Sequence, residues 1–348
     1  MSGLALIRAG VAAAAFSLIA ATPAAAQSIE LRVHHFLPAS STTQARFIDP
    51  WCKSVAEQSG GRLTCKVYPS MQLGGAPPQL VDQVRDGVVD VVWTLPSYTP
   101  GRFPKMSVFE LPFMVSDSIA TSRAAQLFYE THARDEFAGV HPIVFHVHER
   151  GSVHTRGKPI RSIDDFRGLV LRAPSREVGE GLARLGASPV FMPVPQVPEA
   201  MVKGVIDGAV VPWEVTTSLR LGEIATDHVE FPGERGLYTA VFAFLMNQRT
   251  YDGLPADLRA VVDANSGVAV AEAAGRAWVT AERDARAATA ARGNSIHVLP
   301  VEEVERARVL ARPVIEAWVA ARDAERLDGA ALLDAAETLI EDNAPAGR

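Results

Sequence analysis

The chain has 348 residues, with 34 Lys and Arg against 40 Asp and Glu, a net charge of −6 and 48% hydrophobic residues. That length accommodates two domains of ordinary size. The mild acidity excludes nucleic acid or an anionic membrane surface as an electrostatic partner, but not a small anion held by a local arginine.

Residues 1–26 read as an export signal. Arg8 supplies a basic start, residues 11–21 a short apolar core, and Ala24-Ala25-Ala26 a small-residue cleavage site before Gln27. The apolar run is shorter than the ~20 residues a spanning helix needs, so cleavage is favoured over an uncleaved anchor. Loss of Arg8 takes the net charge from −6 to −7. No later segment is long and apolar enough to span a membrane, which places the mature chain in the periplasm, with no direct membrane insertion.

Residues 29–36 alternate as a strand, 43–58 form an amphipathic helix closed by Gly60-Gly61, and 63–68 form a second strand. A helix over 77–87 and a buried strand over 88–93 follow. This alternation predicts βαβ units and a largely parallel sheet, an α/β fold. Cys52 shares a helical face with Ile48 and Val55, and Cys65 alternates with Leu63 and Val67. Both point into one layer, where an oxidising compartment pairs them or leaves two core thiols. Two cysteines are too few for structural zinc.

After a Pro- and aromatic-rich loop over 94–112, a helix over 120–137 leads to a strand over 142–148. Residues 161–214 then read strand, helix, strand, helix, strand. The apolar run Gly168-Leu169-Val170-Leu171 ends on Arg172, and Pro174 biases Ala173 away from helix. A guanidinium at the carboxyl end of such a strand points where ligands of open α/β sheets bind, and its planar fork matches a carboxylate. Residues 227–236 read as an irregular connection and 238–246 as an apolar strand. Residues 255–292 carry one uninterrupted helical pattern, which at 1.5 Å per residue would be ~55 Å long and cross both domains. A last helical stretch, 301–342, contains Pro313, predicted to kink or divide it. The chain thus crosses between two lobes several times, with 27–150 plus 237–276 in one and 151–236 plus 277–348 in the other.

The segments HHFLPASS, EQSGGRLTCKVYPSMQLGG, GVVDVVWTLPSYTPGRFP, ELPFM, KPIRSIDDFRGLVLRAPS, LGASPVFMPVPQVPEAM and KGVIDGAVVPWE, in this order, resemble the periplasmic solute-binding subunits of tripartite ATP-independent periplasmic (TRAP) transporters. The resemblance implies a two-lobed periplasmic binding protein fold with a long helix spanning both lobes. It also implies a small organic-acid ligand held by Arg172, delivery to the TRAP permease subunits in the membrane, no cofactor and no catalysis. Two positions depart from the family pattern. Many relatives carry a second arginine where this chain has Val153, and sialic-acid-type relatives an asparagine near Val211. Fewer polar groups favour a monocarboxylate with an apolar or aromatic body over a sugar acid or a C4-dicarboxylate.

Further candidates lie at the same strand ends. Trp213 either stacks on the ligand or belongs to the core, and Glu214 orients Arg172, accepts a ligand hydroxyl or faces water. His35 and Phe36 end the first strand, and Ser97 and Tyr98 follow the third; the imidazole and the phenol can donate to a carboxylate. Arg150 and His154 flank the crossover after Gly151 as cleft candidates. The pair His146-x-His148 has a spacing used by metal-dependent hydrolases, which leaves a periplasmic metalloenzyme as one rival reading. A ligand-sensing partner of a histidine kinase is another. No G-x-S-x-G, H-E-x-x-H or strand-borne G-x-G-x-x-G is present. Asp164-Asp165 reads as a helix cap rather than a catalytic pair.

Overall fold

The computed structural model describes residues 28–344; the export signal expected over 1–26 lies outside them. In chain order the strands are β1 (Ile29–His35), β2 (Leu63–Tyr68), β3 (Val91–Thr94), β4 (Val140–Val147), β5 (Ser152–Thr155), β6 (Val170–Ala173), β7 (Ser188–Phe191), β8 (Gly208–Val211), β9 (Asp227–Glu230), β10 (Val241–Asn247) and β11 (Ser295–Val298). They form two sheets, ordered β2-β1-β3-β10-β4 and β11-β9-β5-β8-β6-β7. The fold is α/β and two-lobed.

Neither sheet is purely parallel. β10 runs antiparallel to both β3 and β4, and β5 antiparallel to both β8 and β9. These two strands arrive from the opposite sheet with no helix between, β5 just after β4 and β10 after β9, whereas β11 crosses by way of helices and runs parallel to β9. A chain that crosses directly enters from the far side, so it inserts against the direction that the βαβ units set. The strands β9 and β11 lie in stretches where no strand was expected. Each has only four residues, too short to show an alternating pattern.

The predicted helix over 255–292 is two helices, Ala256–Ala264 and Val268–Ala291. The break is built from Asn265-Ser266-Gly267. Gly267 takes φ +77°, a left-handed conformation that glycine tolerates, and its N–H donates to the Ile143 carbonyl at 2.9 Å. The Asn265 side chain accepts from Ser54 Oγ at 2.6 Å, and its carbonyl accepts from the Trp51 indole at 2.8 Å. The 24-residue second helix, ~36 Å long, still spans both sheets. It packs on the helix Ser118–Phe128 and β4 on one side and on the short helix Trp213–Ser218 after β8 on the other. Gly275 is the point of closest approach. A Cβ there would stand 2.6 Å from Ile119 Cα and from the Ser118 carbonyl oxygen.

Pro313 does not divide its helix, which runs unbroken over Val301–Ala324. Burial of Ala311, Val314 and Trp318 on the flanking turns offsets the missing hydrogen bond. The chain breaks later, at Arg326 (φ +65°), and Asp328 caps the helix Gly329–Asp342 through the Ala331 N–H at 3.0 Å.

Cys52 and Cys65 are joined as a disulfide, with Cα atoms 5.7 Å apart. It ties the helix Asp49–Gln58 to β2, and closing so short a loop contributes about 3 kcal/mol in the chain-entropy picture. Among the described residues no helix is long and apolar enough to cross a membrane.

Candidate functional site between the two sheets

A cavity lies between the two sheets. Its walls come from both sides. Phe36 follows β1, Trp93 sits on β3, and Tyr98 lies on the turn after β3; Tyr238 and Phe242 bracket the start of β10. The second sheet contributes Arg172 from β6, Val211 from the end of β8, and Glu214 from the helix that follows.

Arg172 is 2% exposed. Its Nε donates to the Met192 carbonyl at 2.9 Å, Nη1 to the Val210 carbonyl at 3.1 Å and Nη2 to the Tyr98 hydroxyl oxygen at 3.3 Å. A guanidinium has five N–H groups. Three are used, and one each on Nη1 and Nη2 remains, the pair that grips a carboxylate bidentately. Among the described residues no carboxylate is within ion-pair distance of it. A buried cation without a counter-ion is costly, and the cavity is where one can be supplied.

Tyr98 completes this end. Its oxygen accepts from the Val194 N–H at 3.0 Å as well as from Arg172, so both lone pairs are used and its own O–H is left to donate. Burial raises its pKa above the ordinary 10.0, with the Arg172 charge opposing, so the phenol keeps its proton at neutral pH. Tyr98 thereby links the turn after β3 to β6 and the segment after β7, bringing the two sheets together at the cavity.

The walls are aromatic. Phe36 is 5.5 Å from Tyr98 and 5.1 Å from Trp93, ring centre to ring centre, and Trp93 stacks on Phe242 at 4.4 Å. Val211 lines the cavity where sialic-acid-type relatives were expected to place an amide; Val153 does not line it and is buried in the core of the second sheet. Glu214 is 3% exposed. Burial pushes its carboxyl up to about 7, against the side-chain hydrogen bonds that Thr42 and Trp278 give it.

Arg172, Tyr98, Phe36 and Glu214 therefore meet at one cavity, and four other candidates do not line it. Trp213 is the first residue of its helix, and one residue on a helix turns the side chain by ~100°. While Glu214 faces the cavity, the Trp213 indole donates to Glu230 at 3.0 Å and packs against His154 and His228 at 4.8 and 4.9 Å. His154 belongs to that cluster too, with Nδ1 2.6 Å from His228 Nδ1 and Nε2 donating to the Val211 carbonyl at 3.1 Å. Burial and the neighbouring His228 hold it neutral, with a pKa lowered to about 3. His35 points away from Phe36, accepting from the Leu37 N–H at 3.3 Å and bonding Gln44 at 3.1 Å. Arg150 ties the crossover together, donating to the carbonyls of Ser116, Gly233 and Glu234.

The metal reading of His146 and His148 is corrected by their hydrogen bonds. His146 Nε2 accepts from the Trp93 indole at 2.9 Å. His148 Nε2 accepts from the Ala240 N–H at 3.0 Å, and its Nδ1–H donates to the Glu149 carbonyl. The lone pair each ring would offer a metal is occupied. His148 does line the cavity, as a fixed wall, and burial lowers its pKa to about 3 with the Arg172 charge adding to the effect. Tyr238 and Phe242 escaped sequence reasoning because β10 enters the first sheet from a connection with no pattern of its own.

The family described as "Bacterial extracellular solute-binding protein, family 7" matches residues 33–321. A TRAP solute binding protein from Rhodoferax ferrireducens T118, in complex with copurified benzoate, is 41% identical, covers 91% of this chain and 98% of its own, and superposes with a TM-score of 0.90. A marine metagenome TRAP solute binding protein specific for aromatic acid ligands, in complex with 3-hydroxybenzoate, is also 41% identical; it covers 92% of this chain and 100% of its own at a TM-score of 0.90. The C4-dicarboxylate-binding periplasmic protein DctP of Rhodobacter capsulatus is 26% identical over 302 residues, 84% of this chain and 87% of that protein.

Proposed function

The chain belongs to the family-7 bacterial extracellular solute-binding proteins, the binding subunits of TRAP transporters, and on that premise we propose that it captures a small aromatic monocarboxylate and delivers it to a TRAP permease. Proteins of this family bind solutes and are not enzymes. One observation carries the choice of ligand: Arg172 is buried without a counter-ion in a cavity walled by Trp93, Tyr238 and Phe242. The carboxylate takes the two open N–H groups of Arg172 and the O–H of Tyr98, and the ring fills the aromatic slot. Among the described residues lining this cavity, Arg172 is the one cation, which disfavours a C4-dicarboxylate. Its second carboxylate would be desolvated without a partner.

Capture proceeds by closure of two lobes, 27–150 plus 237–276 and 151–236 plus 277–348, after export to the periplasm and removal of 1–26. Closure excludes water and strengthens the ion pair. The helix Val268–Ala291 follows both lobes. Thermal unfolding against a panel of benzoate, phenylacetate, succinate and a sugar acid tests the reading. The aromatic acids raise the melting temperature, by an amount set by ligand concentration over Kd, and Arg172→Ala abolishes the rise. A rise with succinate alone, or with none of the four, contradicts it.

A further inference from the structure

The segment Glu110-Leu111-Pro112-Phe113-Met114 has no part in the ligand cavity, yet it opens on a buried acid. Glu110 ends the 3-10 turn Met106–Glu110 and is 1% exposed. Its Oε1 accepts from the Val241 N–H at 3.0 Å, and the Ser175 and Ser97 hydroxyls bond the same carboxyl. Each of these partners adjoins a residue of the cavity wall. Val241 stands between Ala240 and Phe242, Ser97 precedes Tyr98, and Ser175 follows Pro174. Val241 and Ser97 lie on the side of the first sheet. Ser175 lies on the side of the second, where it caps the helix Arg176–Arg184 by accepting from the Val178 N–H at 3.4 Å. One carboxyl therefore braces three wall segments, across both sheets.

A second carboxyl meets it from the side of the second sheet. Glu177, in the first turn of Arg176–Arg184, lines one pocket together with Glu110 and is bonded by Ser107. Two cations line the same pocket, and both are engaged elsewhere. Arg176 donates to Glu180 at 2.7 Å, and Arg322, on the helix Val301–Ala324, donates twice to Glu325 at 2.9 Å. The phenols of Tyr98 and Tyr238 also face Glu110, as neutral groups. Two carboxyls in a dry contact with no cation between them do not both ionise. Burial and then the Glu177 charge raise Glu110 to about 7, and burial raises Glu177 as well. The serine hydroxyls donate or accept, so they bond the protonated acid too.

We propose that Glu110 is a positioning residue for the ligand site, a latch that engages only when the lobes close and only with a proton on the Glu110–Glu177 pair, so that capture of one ligand takes up one proton. The proposal rests on the lobe closure described under the function of the chain. Parting the lobes separates Glu110 from Ser175 and Glu177 and returns it to water, where a carboxyl ionises near 4.5. The proton comes from the solvent on closure and goes back to it on release. The sign follows from linkage: the closed form holds the proton up to about 7 and the open form loses it near 4.5, so affinity falls as pH rises between these values and levels off above them.

Isothermal titration of the mature protein with benzoate, between pH 5.5 and 8.5 and in two buffers of different protonation enthalpy, tests this. The expected uptake is about one proton per benzoate at pH 6, and Kd rises at least ~10-fold from pH 5.5 to 7.5 and then levels. Glu110→Gln keeps the shape and the hydrogen bonds of the neutral acid, so it removes this uptake, flattens the profile and binds tighter than the unaltered protein at pH 8.5. A merely structural role would not produce that gain. Glu177→Gln, at a half-buried position, keeps the latch but removes the like charge, and shifts the fall in affinity to lower pH. Binding of benzoate without proton uptake at pH 6 overturns the proposal and leaves aromatic-acid capture standing, as does a pH profile that both variants leave unchanged, which would assign the proton to Glu214. Failure of the unaltered protein to bind benzoate at any of these pH values overturns both.

Discussion

Two buried polar clusters lie on the second sheet, and they differ in one respect. In the cluster of His154, His228 and Trp213 every hydrogen bond is closed. The Asn294 amide, shared with the Gly222 and Ala225 carbonyls, reaches His228 Nε2 at 3.1 Å, His228 Nδ1–H donates to His154 Nδ1 at 2.6 Å, and His154 Nε2–H to the Val211 carbonyl at 3.1 Å. That sequence of donors follows from the carbonyl, which only accepts, and it fixes both tautomers. At the Arg172 cavity two guanidinium N–H groups and a phenol O–H remain open. A finished network is a structural element, and an unfinished one is a binding site. Residue type does not separate them, since histidine, tryptophan and glutamate occur in both places.

The largest expected effect comes from removing the open cation. Arg172→Met lowers affinity for the aromatic acid more than ~100-fold, the loss of two charge-assisted bonds in a dry site. The ligand-free melting temperature stays near that of the unaltered protein, because removing the buried charge offsets the Met192 and Val210 carbonyls left without a donor. A fall in both binding and stability would place Arg172 among the finished networks instead. Tyr98→Phe removes one donor and lowers affinity ~10-fold by calorimetry; an unchanged Kd would remove the phenol from the site. His154→Leu shows the converse pattern. It strands the Val211 carbonyl and the His228 N–H, costing ~1–3 kcal/mol in denaturant unfolding, while Kd stays within about threefold.

The remaining effects are in pH dependence, where His154 and Glu214 act with opposite sign. Folding lowers His154 from 6.5 to about 3 and His228 to about 4, mainly through burial. The unfolded chain therefore binds protons that the folded one refuses, and stability falls as pH drops below about 6.5. Glu214 is raised from 4.5 to about 7, so the folded state holds the extra proton and stability falls as pH rises from about 4.5 to about 7. Ligand-free Glu214→Gln reduces this upper arm, by up to ~3 kcal/mol at pH 8, the rest being carried by Glu136 and, in the closed form, by Glu110, both also raised to about 7, and leaves the acid arm in place. An unaltered profile between pH 5 and 8 would show that Glu214 is charged in both states.

Much of this was legible in the residues. The apolar run ending on Arg172, and the loops carrying Phe36 and Tyr98, placed three cavity residues at strand ends, where parallel units put their ligands. The order of crossings followed from the pattern of strands and helices, but the antiparallel insertion of β5 and β10 did not, because strand direction is set by where the chain returns from. Gly267 in Asn265-Ser266-Gly267 marked the helix break, yet alanine-rich periodicity on both sides masked it; the hydrogen bonds that hold it come from Trp51 and Ser54, more than 200 residues away in sequence. His154 and Trp213 were misplaced for a related reason. Which face of a four-residue strand or of a first helical turn looks into a cavity depends on the neighbouring sheet, and periodicity over so few residues does not report it.

A crystal structure of the mature protein with bound benzoate tests the central claim most directly. The account predicts the carboxylate within hydrogen-bonding distance of both Nη1 and Nη2 of Arg172 and of the Tyr98 hydroxyl, with the ring packed against Phe36, Trp93 and Phe242. Benzoate bound with its carboxylate turned away from Arg172, or seated outside this cavity, would contradict it.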